Sequence, residues 1–257
     1  MTSRTDGPRL DGRTGWQVFL RCLTLQASWN DQRMQNLGLL AALAPWLRRQ
    51  PLAREQLRRT CRRYYGYFNT NPYLAGFVVG GLLRLEHARG ERQPVPDRLV
   101  AGFHDTMARA CGSLGDQLVW LGLRPALMLA GVVLAALGYW PAALLLVAVF
   151  TAGQLVLRRR WLCQAFALGP DVIEVVADPR WHRAIARVGA AALVLTGLVL
   201  GGWLAGVADL AAVTGRPRVI GAVLIALVLP ALVRQRASGE LQALLALALA
   251  AGLAALT

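Results

Sequence analysis

Two short polar segments interrupt a sequence that is otherwise strongly apolar. The first carries Asn69, Thr70 and Asn71, which offer two amides and a hydroxyl, and the second carries Asp116 and Trp120, which offer a carboxylate and an indole ring. These groups can hydrogen-bond to a hydroxyl-rich ligand and stack against its ring. In a membrane such groups are tolerated where a broken helix lines a cavity. The complete set of candidate ligand-binding residues is Gln26, Asn30, Asn69, Thr70, Asn71, Asp116 and Trp120.

The same polar residues have a purely structural explanation. Pro72 biases Asn71 away from helical backbone angles, so Asn71 can cap a helix that begins at Pro72. Gly115 and Asp116 end a second turn that resembles a helix cap, and helix N-termini leave several N–H groups to be satisfied. For Asn71 and Asp116, capping explains the residue types at least as well as ligand binding. We expect Arg124 to pair with Asp116 or with lipid headgroups.

No other group of residues indicates catalysis, a metal site or a cofactor. The cysteines and histidines show no spacing typical of metal ligands or of a nucleophile with its base. We therefore expect no catalytic residue, no metal and no cofactor. The polar residues 1–15 also lack the apolar core of a signal peptide. The scattered residues are Cys22, Cys61, Cys111, Cys163, His87, His104 and His182.

The elements that position these side chains have the composition of a membrane protein. Of the 257 residues, 56% are hydrophobic and 16% are charged, whereas a soluble domain has about 25% charged residues. This composition argues against an ordinary soluble enzyme, a disordered chain and a disulfide scaffold. The net charge is +14. We assign it to anionic lipids and partner proteins rather than to nucleic acid, because long uncharged stretches insert into a bilayer.

Charge divides the chain into regions. Residues 1–124 contain 18 arginines and nine acidic residues, and residues 125–157 contain no charged residue. We predict a polar tail at 1–15, an amphipathic and re-entrant helical region at 16–124, and a transmembrane helical region at 125–257. The predicted fold is an all-α membrane protein, with amphipathic N-terminal helices followed by hydrophobic hairpins and transmembrane helices, because lipid offers no partner to open strand edges.

The transmembrane region contains one predicted hairpin and three further apolar segments. Breaker residues at 138–141 separate arms at 125–137 and 142–157, each short for a full crossing of about 30 Å. The arginine triplet 158–160 follows directly. The positive-inside rule places this triplet in the cytoplasm and the N-terminal half in the cytoplasm or the interface. The further segments are 188–208, in which small residues have the spacing of packed membrane helices, 219–233 and 241–256.

Three helices are predicted before residue 69. A capping box at Thr14 starts the first, and a second cap at Ser28 starts a helix that includes Met34 and ends before Pro45. The third has Pro51 in its first turn. Arginines surround its apolar stripe, so it either lies in the lipid interface, which we favour, or forms a solvated face of a helical bundle. The stripe contains Ala53, Leu57, Cys61, Tyr64 and Phe68.

Three ordered motifs lie within residues 16–137. They are LQASWN at 25–30 with RMQNLG at 33–38, FNTNP at 68–72, and the set Gly115-Asp116, Trp120 and Arg124-Pro125. They resemble the N-terminal motif, the FNTxP element and the GD…W…RP element of the IID component of the mannose, fructose and sorbose family of sugar phosphotransferase systems. In these motifs Pro72, Gly115, Arg124 and Pro125 are expected to have structural roles.

The resemblance implies a subunit of a sugar permease in the plasma membrane of a bacterial cell. In this family the IID subunit pairs with a IIC subunit, and three IIC–IID pairs form a trimer. Cytoplasmic IIA and IIB components pass phosphate from phosphohistidine to a hexose as it enters. The IID subunit itself is not known to be phosphorylated. The resemblance therefore implies that the polar segments contact a hexose, which one helical domain carries across the membrane.

One stretch departs from the family pattern. The family has Gly-Pro-Leu-Ala-Gly-x-Gly-Asp, whereas residues 109–116 begin with Arg109-Ala110, and the region after Leu157 is shorter than in the family. The departure casts doubt on the local turn and on sugar recognition. A divergent non-transporting scaffold or regulatory subunit is therefore an alternative, and a stand-alone amphipathic membrane-binding protein is another.

Overall fold

The structure is a computed structural model that describes residues 10–90 and 95–204. Within these ranges the regular elements are helices, which confirms the predicted all-α fold class. A π-helix, Asp116–Leu123, joins α5 to α6, and a short 3-10 helix, Gly169–Asp171, joins α7 to α8. The α-helices are α1 Gly12–Leu23, α2 Asn36–Leu47, α3 Arg54–Tyr64, α4 Ala75–Gly90, α5 Asp97–Gly115, α6 Arg124–Ala136, α7 Trp140–Leu168, α8 Val172–Val176 and α9 Arg180–Leu204.

The chain divides into two compact units. Among the described residues, the first unit consists of 10–90 and 95–116 with 153–181, and the second consists of 117–152 with 182–204. In the first unit α1 packs against α2 and α4 packs against α5. Its core is apolar, and Phe77 of α4 is fully buried there against the ring of Trp161, with 5.2 Å between ring centroids. The domain boundaries expected at residues 15 and 124 stay predictions.

Helix α1 begins two residues before the predicted capping box. Asp11 is its N-cap, and the carboxylate accepts hydrogen bonds from the backbone N–H of Thr14 at 3.1 Å and from the Thr14 hydroxyl at 2.8 Å. The cap predicted at Thr14 was wrong because Thr14 donates to the capping group. These bonds lower the pKa of Asp11 to about 2, and the bond from the backbone N–H has the larger effect. The cap therefore stays ionised at neutral pH.

Helix α2 begins eight residues later than the cap predicted at Ser28. The chain makes turns between α1 and α2, and Met34 in those turns has a φ of +53°. A residue with positive φ cannot lie inside a right-handed helix, so Met34 is excluded from α2. Backbone bonds of 3.1 Å and 2.8 Å join Asn30 and Met34 instead.

Pro45 lies inside α2, although the sequence suggested that α2 ends before it. Proline has no N–H to donate to the carbonyl four residues earlier, which here belongs to Ala41. Arg21 of α1 donates to that carbonyl from Nη1 at 3.0 Å. A bond from the neighbouring helix thus replaces the missing one, and α2 continues to Leu47.

Helix α3 begins at Arg54, so Pro51 precedes it and does not occupy its first turn. Tyr64 and Phe68, at the end of the predicted apolar stripe, are each only 1% exposed. This end of the stripe packs inside the first unit rather than against lipid. The burial favours a solvated outer face for α3, which was the other interpretation of its arginines.

A buried charge cluster connects α3 to α4 and α5. Arg63 donates to Glu86, and the Tyr64 hydroxyl donates to the same Glu86 oxygen at 2.7 Å. Arg63 also donates from Nη2 to Asp97 at 3.0 Å. Burial, and then the neighbouring Glu86 carboxylate, raise the pKa of Tyr64 well above its usual value. Tyr64 therefore remains a neutral donor to Glu86 at physiological pH.

Among the described residues, three helices are long and apolar enough to cross a membrane. They are Asp97–Ala136 with 40 residues, Trp140–Val176 with 37 and Arg180–Val199 with 20. Gly138, at a φ of +83°, makes the turn between the first two, where the hairpin was expected. The arms of the hairpin belong to helical segments of 40 and 37 residues, each long enough to cross a membrane, so the expectation that the arms are short for a crossing was wrong.

The third apolar helix contains most of the span predicted at 188–208, which continues past the last described residue of α9. The segments predicted at 219–233 and 241–256 lie outside the described residues.

The turn predicted to end at Gly115 and Asp116 was wrong, whereas the first hairpin arm, expected from residue 125, lies in α6, which begins at Arg124. The chain is helical without interruption from Asp97 to Ala136. Arg109 and Ala110, which replace the family's Gly-Pro pair, are ordinary helix formers and leave no breaker there. Pro125 follows the π-helix, in which backbone hydrogen bonds do not have the i to i−4 spacing of an α-helix. A proline at this place therefore does not remove an ordinary α-helical hydrogen bond.

Two cysteines provide a test of the packing in the first unit. Cys22 is 3% exposed, and burial raises its pKa to about 12, whereas Cys61 of α3 is half-buried. Because the thiolate is the reacting species, iodoacetamide at pH 8 should alkylate Cys61 at least tenfold faster than Cys22. Peptide mass spectrometry measures both rates, and a denatured sample should show equal labelling. Equal labelling of the folded chain would contradict the packing of α1.

Candidate functional site

The Asn69–Asn71 corner is held by a buried glutamine. Gln35 is 2% exposed; its Nε2 donates to the Thr70 carbonyl at 2.9 Å, and its Oε1 accepts from the Thr70 N–H at 3.1 Å. The Gln35 backbone N–H also donates to the Phe68 carbonyl at 2.8 Å. One side chain therefore satisfies both backbone groups of Thr70, which fixes the corner in a non-helical path. Sequence reasoning missed this role, although Gln35 lies in the RMQNLG motif.

Asn71 joins the two polar segments. It is 1% exposed, and its Nδ2 donates to Asp116 Oδ1 at 2.9 Å while its Oδ1 accepts from the Tyr73 N–H at 3.0 Å. Helix α4 begins at Ala75, after a turn at residues 72–74, so the predicted helix start at Pro72 was three residues early. Asn71 therefore serves the turn before α4 and the end of α5 with one side chain.

Gly115 permits this close approach. A Cβ atom at position 115 would lie 2.4 Å from both Cβ and Cγ of Asn71, which no side chain can tolerate. One turn earlier, a Cβ at Gly112 would lie 3.8 Å from Thr70 Cα, which is ordinary contact. The end of α5 therefore packs on the corner because position 115 has no side chain.

Within the corner, Asn69 is exposed and Thr70 is buried. The Thr70 hydroxyl is one of the few buried side-chain groups without a hydrogen-bond partner in the described part of the chain. Asp116 is exposed, and its carboxylate has acceptor capacity beyond the bond from Asn71. The Asn69 amide, the Thr70 hydroxyl and the Asp116 carboxylate thus have spare hydrogen-bonding capacity. Asn69 and Thr70 lie within two residues of Asn71 in sequence, and Asp116 is the hydrogen-bond partner of Asn71.

Gln26 and Asn30 differ in their exposure and in their hydrogen bonds to other residues. Gln26 is exposed. Asn30 accepts from the Arg33 N–H at 2.8 Å and donates to Asn36 Oδ1 at 3.2 Å, and Asn36 donates to the Tyr65 carbonyl at 2.9 Å. Asn30 therefore holds the turn that carries Gln35 into place, and we describe it as a residue that supports the corner.

Trp120 and Arg124 belong to the second unit, where the π-helix places them one turn apart. The Arg124 guanidinium lies over the Trp120 ring, 4.4 Å from its centroid. The contact that the structure shows for Arg124 is a cation–π interaction with Trp120 rather than the expected ion pair with Asp116. The expected contact with lipid headgroups stays a prediction. Pro125 follows on the first turn of α6.

The side chains at the corner are suited to hydrogen bonding. Among the described residues, no group of three or more His, Cys, Asp or Glu side chains is placed to hold a metal ion. The groups at the corner are amides, a hydroxyl and a carboxylate, which suit the donors and acceptors of a polyol.

Comparison with known proteins identifies a family that matches most of this chain. Residues 9–232 match the model of the mannose/fructose/sorbose family IID component of phosphotransferase systems. The mannose-specific EIID component of Escherichia coli K12 is 30% identical over 158 residues, which are 61% of this chain and 56% of that protein. The sorbose-specific EIID component of Lacticaseibacillus casei is 26% identical over 178 residues, which are 69% of this chain and 63% of that protein. The matched region thus spans little more than half the length of these relatives.

A solved structure shares the architecture. It is described as the cryo-electron microscopy structure of the mannose transporter ManYZ in complex with microcin E492. The similar chain in it is 26% identical, with a TM-score of 0.60 over 76% of this chain and 72% of that one. The likeness is therefore to a membrane protein of the kind that the apolar helices indicate.

Proposed function

Because this chain belongs to the IID components of the mannose/fructose/sorbose family of sugar phosphotransferase systems, we propose that it pairs with a IIC subunit to translocate a hexose. Translocation is coupled to phosphorylation of the sugar by IIA and IIB components. The chain is a membrane component of such a system, and in this proposal it performs no phosphoryl transfer itself. It spans the plasma membrane of a bacterial cell several times, with its N-terminal half in the cytoplasm or in the lipid interface.

The observation that carries this proposal is the Asn71–Asp116 hydrogen bond of 2.9 Å. It brings together two motif elements that are 45 residues apart: one precedes α4, and the other lies where α5 passes into the π-helix. In a membrane, polar groups at such a place are tolerated where they face a cavity. We propose that Asn69, Thr70 and Asp116 contact sugar hydroxyls, and that Asn71 positions Asp116.

The remaining motif residues are further candidates for contact with the sugar. Trp120 offers a ring for stacking, with Arg124 held against it. Gln26 is exposed and available to the sugar or to the cavity wall, and Asn30 supports the corner. Further sugar contacts come from the IIC subunit, and three IIC–IID pairs form the complete permease.

One observation favours the alternative of a non-transporting scaffold. Helix α5 continues through Arg109 and Ala110, where the family's Gly-Pro pair would interrupt it. A scaffold would still assemble with a IIC-like subunit, but it would neither bind hexose nor support its uptake. The same experiment separates the two functions.

The test is hexose uptake by vesicles that contain this chain, its IIC subunit and the IIA and IIB components. Asn69→Ala and Asp116→Ala should each lower accumulation of sugar phosphate by about 10- to 100-fold, because a lost hydrogen bond to a charged or buried group costs about 1.5–3 kcal/mol. Asp105→Ala, an exposed acidic residue of the same helix, is the matched control and should leave uptake unchanged.

Two outcomes would overturn parts of this proposal. Assembly is followed by co-purification of the IIC subunit. If the assembled wild-type complex takes up no hexose, the scaffold is supported. If uptake is normal in both variants, the sugar contacts have been assigned to the wrong residues.

A further inference from the structure

Helix α1 is amphipathic, and its outer face exposes two large apolar side chains. Val18 and Cys22 face the core at 0% and 3% exposure, whereas Trp16 and Leu20 are 54% and 55% exposed. Trp16 and Leu20 are four residues apart and therefore neighbours on one face. Arg13 is exposed one turn before them. A basic helix with Trp and Leu on one side is typical of an element that lies in a lipid interface.

Contacts with α7 place this helix at the charged end of an apolar span. Arg158 donates from Nη2 to the Cys22 carbonyl at 3.2 Å, and the Arg159 guanidinium lies 5.1 Å from the centre of the Trp16 ring. These two arginines directly follow residues 125–157, which carry no charge. Hydrocarbon ends where such charges begin, and tryptophan is enriched at that level. These contacts favour a position for Trp16 at the depth of the headgroups.

A basic groove adjoins the same face. Its volume is about 410 Å³, and it is lined by Gln17, Leu20, Arg21, Pro45, Arg48 and Arg49. Arg49 is paired with Asp11, and Arg21 donates to the Ala41 carbonyl. Arg48 is exposed at the groove, so the groove combines a cationic rim with an apolar wall at Leu20.

We propose that the groove between α1 and α2 binds the phosphodiester headgroup of an anionic phospholipid, with Trp16 and Leu20 entering the acyl boundary beside it. Arg48 and Arg21 face the phosphate, and Arg13 interacts with neighbouring headgroups. The charges are complementary, and the apolar wall suits the acyl chain that accompanies a lipid phosphate. The proposal does not depend on sugar transport, since it concerns only how the chain sits in the membrane.

Helix α3 offers a matched comparison. It exposes four arginines, Arg54, Arg58, Arg59 and Arg62, but its outer face has no exposed large apolar side chain between Arg54 and Tyr64. If charge alone determined lipid binding, the more arginine-rich α3 would be the stronger candidate. The combination of charge, apolar anchors and a groove occurs at α1.

The first experiment measures how deeply position 20 lies in the bilayer. The full chain with Leu20→Cys, and Cys61 and Cys163 changed to serine, is spin-labelled and reconstituted with and without the IIC subunit. In vesicles of phosphatidylglycerol and phosphatidylcholine, the label at Leu20 should be more accessible to oxygen than to a water-soluble nickel complex. A label at Arg58→Cys should show the reverse. High nickel accessibility at Leu20 would overturn the proposal, and so would low accessibility to both reagents, because protein would then cover this face.

The second experiment measures lipid preference. Purified full chain is delipidated, returned to equal amounts of phosphatidylglycerol and phosphatidylcholine, and its retained lipid is measured by mass spectrometry. Wild type should retain mainly phosphatidylglycerol, and Arg48→Gln should reduce that retention at least fivefold, whereas Arg58→Gln should not. An unchanged ratio in Arg48→Gln would overturn the groove assignment. Displacement of the lipid by millimolar inorganic phosphate would instead identify a site for a small anion and also overturn it.

Discussion

Replacing Gly115 by alanine should lower hexose uptake at least 100-fold. The added Cβ would lie 2.4 Å from Cβ and Cγ of Asn71, and Asn71 is 1% exposed and has no space to move into without leaving Asp116. The Asn71–Asp116 bond breaks, and the two polar segments separate. Uptake in vesicles with the IIC, IIA and IIB components measures the effect.

The control for this substitution is Gly102→Ala on the same helix, where a Cβ would meet nothing within 4 Å. Alanine is favoured over glycine inside a helix by about 1 kcal/mol, so Gly102→Ala should keep full uptake and equal or greater thermal stability. Normal uptake by Gly115→Ala, with the chain assembled, would show that the corner does not require this close contact.

Replacing Glu86 by alanine should cause the largest loss of stability in the first unit. Glu86 is 8% exposed and accepts from both Arg63 and the Tyr64 hydroxyl. Removing one partner of a buried ion pair costs about 3–5 kcal/mol, and because Arg63 keeps its ion pair with the exposed Asp97, we expect a loss at the lower end of that range. Thermal unfolding in detergent, followed by the fluorescence of a thiol-reactive dye as the buried cysteines become accessible, should show the loss as a lower Tm.

An exposed ion pair of α3 gives the matched control. Glu55 accepts from Arg59 at 3.3 Å, with both side chains more than half exposed. Such a pair contributes about 0.3–0.5 kcal/mol, so Glu55→Ala should change the Tm by little. If Glu55→Ala and Glu86→Ala lower the Tm equally, the buried cluster does not hold α3 to α4.

Much of the fold follows from charge and hydropathy. The 33 uncharged residues from 125 to 157 and the breaker residues around Gly138 predict a hairpin, and the turn lies there at a φ of +83°. The hairpin helices were nevertheless underestimated in length, because amphipathic segments extend them beyond the apolar part. Hydropathy detects the part of a helix that contacts lipid and misses the part that continues into protein.

Local helix starts were harder to predict, because capping depends on partners distant in sequence or on backbone angles. A serine at position 28 has the right type for a cap, but Met34 adopts a positive φ and delays α2. Pro45 would end an isolated helix, yet Arg21 from α1 supplies the missing donor. Neither contact leaves a periodic signal in the sequence.

In the candidate site, too, some features could be predicted from the sequence and others could not. Residue types and motif spacing identify Asn71 and Asp116 as candidates, and the structure places them 2.9 Å apart. The turn expected at 113–116 is instead a continuous helix followed by a π-helix, because hydrogen-bond register is a property of packing rather than of residue type. Gln35 was missed because a buried glutamine that pairs with backbone has no pattern of its own.

Equilibrium binding of radiolabelled mannose, fructose and sorbose to the purified complex of this chain with its IIC subunit, without IIA or IIB, tests the proposed site most directly. We expect saturable binding of at least one of these hexoses, weakened at least tenfold by Asn69→Ala and by Asp116→Ala and unchanged by Asp105→Ala. An assembled complex that binds none of them, or that binds one equally well with all three substitutions, would contradict the account.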